Sequence, residues 1–175
     1  HRLSEEEHLN VYLGIRSDQV LMYLCSIQGA QPSVFRINTG ATGHLHTTSA
    51  GKVLLAAMPD EALDKLLARM TLARLTPYSI TERDRLIENL REIRAKGYAV
   101  SDEENFIGVY AVGAPIRDSS GHIIAAISAA FGKDGALEQT RKRVVEIVER
   151  TAGVVSAKLG AYPGPAFASV GISSS

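Results

Sequence analysis

Tryptophan is absent from this sequence, cysteine occurs once, and neither sign of charge is in excess, with 19 Lys plus Arg against 19 Asp plus Glu. A lone Cys25 excludes an internal disulfide, and its apolar neighbours from Leu21 to Ile27 predict a buried, inert thiol in a reducing compartment rather than a nucleophile. Balanced charge, with no basic cluster beyond Arg141, Lys142 and Arg143, excludes the electrostatic footprint of a nucleic-acid grip within these residues. No stretch approaches the roughly 18–20 apolar residues of a membrane-spanning helix, and no charged and then hydrophobic leader opens the chain. The expectation is a cytoplasmic globular protein. The first residue is His1 rather than methionine, so a further N-terminal region is expected upstream.

What is present suits one domain over 1–160 with a short tail over 161–175: the 175 residues are 45% apolar, ample for a packed core. Leu9, Val11, Leu13 and Ile15 alternate with Asn10, Tyr12, Gly14 and Arg16, which predicts a strand with one buried face. Val20 to Ile27 is apolar on both faces and reads as an inner or covered strand, and Ser33 to Ile37 as another short one. Helical spacing follows in Leu63, Leu66, Leu67 and Met70. It recurs in Leu86, Ile87, Leu90 and Ile93, with Thr81 and Asp84 resembling a capping box and Gly97 ending the run. Strands are expected again over Tyr98–Asp102, Gly108–Ile116 and His122–Phe131, the last two joined by a turn at Asp118–Gly121, with Pro115 at a strand end. A final amphipathic helix runs from about Asp134 to Leu159. Strands, helices, strands and a helix in that order predict an α+β domain: a mainly antiparallel sheet with helices packed on it. In the tail, Phe167, Val170 and Ile172 are apolar anchors within a Pro-, Gly- and Ser-rich run.

The chemistry-bearing stretch is GATGHLHTTSAGKVLLA, residues 40–56. It fails as a phosphate loop, since His46 stands where G-x-x-x-x-G-K-[ST] needs its first glycine and Val53 follows Lys52. Thr47, Thr48 and Ser49 are good N-cap types, and Ala50, Val53, Leu54 and Ala57 form a helical stripe beyond them. A helix starting here would offer the unpaired amides of Ser49, Ala50 and Gly51 to a carboxylate or other small anion; the alternative is that Thr48 or Ser49 simply caps it. His44 and His46, with Glu103 or Glu104, raise a rival reading as a metal site or acid/base pair of an enzyme, against which stand their loop setting and the lack of a further histidine at ligand spacing. His46 then reads as a pocket-wall or hinge residue, and Asp102 as a group behind the pocket.

The segments TTSAGKVLLAAMP and KGYAVSDEENFIGVYAVGAPIRDSSGHIIAAIS together resemble the effector-binding domain of IclR-type (isocitrate lyase regulator) bacterial transcription factors, over roughly Glu6 to Leu159. The resemblance implies a GAF-like or profilin-like antiparallel sheet of about six strands with helices on its faces. It implies a repressor or activator that is no enzyme and needs no cofactor or metal, dimers or tetramers formed through these domains, and a winged helix-turn-helix upstream that alone contacts DNA. It also implies a pocket for a small carboxylate effector, with the acid held on the Ser49 and Ala50 backbone and contacts from Ser101, Ala111, Ser128, Ala130 and the apolar wall residue Phe35. Alanine at 111 and 130 and serine at 101 stand where small-acid binders carry other polar groups, so an aromatic or longer acid is expected rather than glyoxylate or pyruvate. A stand-alone sensor is the remaining alternative.

Overall fold

A computed structural model describes residues 9–29, 36–133, 138–162, 164 and 167. Among the described residues ten elements follow one another: β1 (Asn10–Ser17), β2 (Val20–Ile27), β3 (Thr42–His44), α1 (Ser49–Ala56), α2 (Asp60–Leu67), α3 (Arg83–Lys96), β4 (Ala99–Asp102), β5 (Val109–Arg117), β6 (Ile123–Gly132) and α4 (Glu138–Lys158). The strands form one antiparallel sheet in the order β3-β2-β1-β6-β5-β4. It is the α+β architecture expected. The first long strand pairs with the last, from Asn10↔Ala130 to Gly14↔Ala126, so β1 is an inner strand.

That pairing reverses two expectations. The residues read as the polar face of β1, Asn10 and Tyr12, are buried, whereas Leu13 and Ile15 on its apolar face are only half-buried. Conversely β2 has only the three-residue β3 outside it, and buries Leu21 and Tyr23 while leaving Val20, Leu24 and Cys25 exposed. Cys25 is therefore not a buried thiol. Its cross-strand partner is Leu13, half-buried at the border of the α4-side core.

Each face of the sheet has its own core. α1, α2 and α3 bring Val53, Leu54, Leu66, Leu86 and Leu90 down onto Tyr12, Leu21, Tyr23, Ala126 and Ala130. On the other face Val144, Val148 and Ala152 of α4 meet Val112, Ala114, Ile127 and Ala129. The small residues of β5 and β6 let helices approach from both sides, and all eight residues of α1 are buried.

Local signals hold where they are strong. Gly97 closes α3 in the left-handed conformation at φ 92°, its amide donating to Ile93 O. Asp118 accepts at Oδ1 from Ser120 N, Ser120 Oγ and His122 N, fixing the β5–β6 turn. The expected capping box on α3 does not form: the N-cap is Glu82 without a side-chain bond, and Thr81 Oγ1 instead accepts from Arg74. Pro115 lies within β5 rather than at its end. It is tolerated because β4 pairs only as far as Gly113, so β5 has a neighbour on one side there. β3 carries no hydrophobic alternation and was not expected, while most of the Ser33–Ile37 strand reading, Phe35 included, lies outside the described residues. Phe167 packs against the α1-side core; Val170 and Ile172 lie outside the described residues.

Candidate functional site

α1 starts where the threonines predict. Thr48 is the N-cap, with extended backbone (φ −101°, ψ 142°), and its Oγ1 accepts from Gly51 N at 3.2 Å while donating to His44 O at 2.7 Å. The cap thus takes the Gly51 amide, which corrects the expectation that Gly51 holds an anion. The preceding amides, of Ser49 and Ala50, have no intrahelical acceptor by their position in the first turn. That turn rests directly on β5: a Cβ on Gly113 would lie 2.8 Å from Ser49 C and 3.0 Å from Ala50 N. Glycine is required at 113 because helix backbone and strand backbone touch.

Sheet register assembles the rest. Ser101↔Ala111↔Ala130↔Asn10 form one row across β4, β5, β6 and β1, and Ala99↔Gly113↔Ser128↔Tyr12 the next. Residues two apart on a strand share a face. Ser101, Ala111, Ser128 and Ala130 therefore converge beneath the start of α1, where they line a cavity with Thr48, Ser49, Tyr12 and Tyr23. Its outer wall is Ile37, Asn105, Phe106 and Val109. Ser101 is a support as well as a lining group, since its hydroxyl donates to Thr47 O at 2.6 Å.

The free volume is about 40 Å³, room for a few waters. The alanines at 111 and 130 thus do not leave a large void, contrary to the sequence-based expectation. Tyr12 and Tyr23, edge to face with ring centroids 5.5 Å apart, occupy that space. Neither tyrosine was singled out from the sequence, because Tyr12 sat on the face of β1 read as solvent-exposed. A tyrosine alternating with Asn10 and Gly14 on an inner strand is the signal that could have found it.

Behind the cavity the helix is braced. Lys52 is 1% exposed and its Nζ lies 2.6 Å from Glu104 Oε1, joining α1 to the β4–β5 loop. Burial pushes the Lys52 ammonium pKa down and the Glu104 carboxyl pKa up, each opposed by the charge of the other. The same loop is held by Thr76 Oγ1 on Glu103 O, Ser79 Oγ on Glu104 O (both 2.7 Å) and Thr47 Oγ1 on Asn105 Oδ1 at 3.0 Å. Its tip, Phe106 and Ile107, stays exposed.

The histidines do other work than the enzyme reading requires. His46 is 0% exposed, and its Nε2–H donates to Ala73 O at 3.0 Å, pinning the segment before α1 to the chain that leads into α3. Burial holds the ring neutral by lowering its pKa, with His44 and Lys52 adding to the effect. It does not line the cavity. Glu104 pairs with Lys52 rather than with a histidine, and among the described residues no group of three or more His, Cys, Asp or Glu is placed to hold a metal. Asp102 is also displaced from its expected role: it points to the opposite face from Ser101 and pairs with Lys133 at 2.9 Å.

A larger groove, of about 470 Å³, lies between α4 and the end of β5, lined by Arg117, Glu149 and Tyr162 among others. It is open and borders the exposed Tyr162, with no helix start facing it. The cavity under α1 is the better ligand site on chemistry despite its smaller volume.

Comparison with known proteins agrees with this architecture. The family model described as the C-terminal region of the bacterial transcriptional regulator IclR matches residues 1–157. The HTH-type transcriptional repressor AllR of Salmonella paratyphi A is 33% identical over 119 residues, 68% of this chain and 44% of AllR, so the chain spans less than half of that relative. The crystal structure of Thermotoga maritima IclR superposes with a TM-score of 0.83 at 30% identity, covering 88% of this chain and 62% of that one. A double mutant of the inducer-binding domain of the transcription factor PobR from Acinetobacter, in complex with 3-hydroxybenzoic acid, superposes with a TM-score of 0.77 at 26% identity over 85% and 87% of the two chains. The relatives named are regulators of transcription rather than enzymes. With a family model matched over nearly its whole length and the same fold, the chain belongs to the IclR family as its C-terminal domain.

Proposed function

We propose that the cavity beneath α1 binds a small organic carboxylate, and that its occupancy modulates operator binding by a winged helix-turn-helix domain upstream of His1. The observation that carries the reading is the first turn of α1, held against Gly113 with the Ser49 and Ala50 amides over a row of small residues. Helix physics favours an anion there, because unpaired amides and the helix dipole both attract negative charge. The PobR domain, similar in fold, is named in complex with an aromatic acid. Regulation then follows by linkage: the acid shifts operator affinity only if it binds two arrangements of the protein unequally, and couplings of about 1–3 kcal/mol are typical. Such a regulator works in the cytoplasm; among the described residues no helix is long and apolar enough to cross a membrane.

An acid of more than a few atoms must displace the outer wall, of which Phe106 is the exposed member. Titration calorimetry with 3-hydroxybenzoate, benzoate, pentanoate, pyruvate and glyoxylate is expected to show tighter binding of a larger acid than of the two small ones. Tighter binding of pyruvate or glyoxylate than of every larger acid would overturn the apolar-wall part of the reading, and no binding of any acid would overturn the whole.

Self-association belongs to the same proposal. Among the described residues α4 packs chiefly on β5 and β6, and the β1–β2 half of that face carries Ile15, Met22 and Ile27 half-buried with Val20 at 37% and Leu24 at 45% exposure, an apolar surface that a second copy would cover. Sedimentation at a loading of about tens of micromolar is expected to show a dimer or larger, and Leu24→Lys to shift the distribution towards monomer. A wild-type monomer at that loading removes this part of the proposal.

A further inference from the structure

Tyr12 is 3% exposed, and its hydroxyl is buried without a hydrogen-bond partner among the described residues. A phenylalanine would fill the same space without leaving a polar group unsatisfied, and an unmade buried hydrogen bond is costly. The tyrosine lines the cavity, and sheet register puts it in the row Gly113↔Ser128↔Tyr12, two strands from the glycine on which α1 rests. Adjacent strands lie about 4.8 Å apart, so Tyr12 springs from the floor two strand spacings from Gly113, beneath the α1 amides, with Ser128 between them.

We propose that Tyr12 is the second fixed polar contact of the cavity, and that its ligand is an acid carrying a carbonyl, hydroxyl or ether oxygen at the end away from the carboxylate. This rests on the cavity being the effector site and names the chemistry that the site selects. Burial pushes the Tyr12 phenol up to about 12, so it is protonated at neutral pH and acts as a donor that needs an acceptor. The Tyr23 ring, edge-on to Tyr12, fixes its orientation. Tyr23 is itself packed where any side chain at Gly43 would lie 3.2 Å from its hydroxyl, so the pair is held from behind.

The test uses two matched pairs of acids, 3-hydroxybenzoate with benzoate and 4-oxopentanoate with pentanoate, titrated into the wild-type chain and Tyr12→Phe. In at least one pair the wild type is expected to prefer the oxygenated member about tenfold or more. Tyr12→Phe is expected to erase that preference by weakening the oxygenated acid alone, with the parent acid bound as before. The free Tyr12→Phe protein is expected to melt no lower than the wild type, because the hydroxyl it loses is unpaired. Equal binding within both pairs by the wild type, equal weakening of both members by Tyr12→Phe, or a lower melting temperature of the free variant would overturn the proposal while leaving the site in place. Failure of all four acids to bind would overturn the site reading, and this inference with it.

Discussion

Replacing Lys52 with methionine is expected to destabilise the folded domain by about 3–5 kcal/mol, the usual consequence of removing one member of a buried ion pair. Lys52 is among the most deeply buried side chains of the protein, and its ammonium faces Glu104 at 2.6 Å. Methionine fills the space of the stem but strands a carboxylate in a site that already favours its protonated form. In the variant Glu104 therefore holds its proton more tightly folded than unfolded. The deficit grows as the pH rises through the window between the unfolded and the raised folded value of this carboxyl, and shrinks as the pH falls towards the ordinary carboxylate value of about 4.3. Glu104→Leu leaves the ammonium stranded instead and is expected to cost a similar amount. The double variant Lys52→Met/Glu104→Leu removes both charges and is expected to recover to within about 1 kcal/mol of the wild type, since apolar replacement of a buried pair is often neutral or better. Urea denaturation of the four proteins at pH 7 measures the cycle. Single substitutions that cost under about 1 kcal/mol, or a double variant no better than the singles, would show that the pair is not the brace proposed. Because it ties α1 to the loop carrying Asn105 and Phe106, Lys52→Met is also expected to weaken acid binding.

Gly113→Ala is expected to lower stability by about 1–3 kcal/mol and acid affinity by at least about tenfold, the latter equal to ~1.4 kcal/mol. The added methyl would meet Ser49 C at 2.8 Å, Ser49 O at 2.9 Å and Ala50 N at 3.0 Å, all of them backbone, so no side chain can turn aside to admit it. The first turn of α1 must lift from β5, and with it the amides that face the cavity. Gly132→Ala, in the neighbouring strand β6 with nothing within 4 Å of the new carbon, is the control and is expected to be near neutral in both measurements. Thermal melts and calorimetry with whichever acid binds the wild type give the two readouts. An unchanged affinity in Gly113→Ala would place the carboxylate somewhere other than the α1 start.

What the sequence determined by itself is local. Thr48 as a cap, the apolar stripe of α1, Gly97 as a helix stop and the Asp118 turn all depend on a few neighbouring residues and the dihedral angles they prefer, and each appears where the residues place it. The order of strands and helices, and through the motifs the family, were legible for the same reason. Which strand lies inside was not. Alternation says that one face of β1 is apolar and nothing about what covers the other; only pairing with β6, more than a hundred residues away, made Tyr12 and Asn10 interior and left Cys25 outside. The same holds for Lys52 and Glu104, 52 positions apart, whose charges can be buried only because the β4–β5 loop folds back over α1. Periodicity records the conformation of a segment and the side it turns to its nearest partner, whereas the cavity is made by neighbours that are set only when the sheet closes.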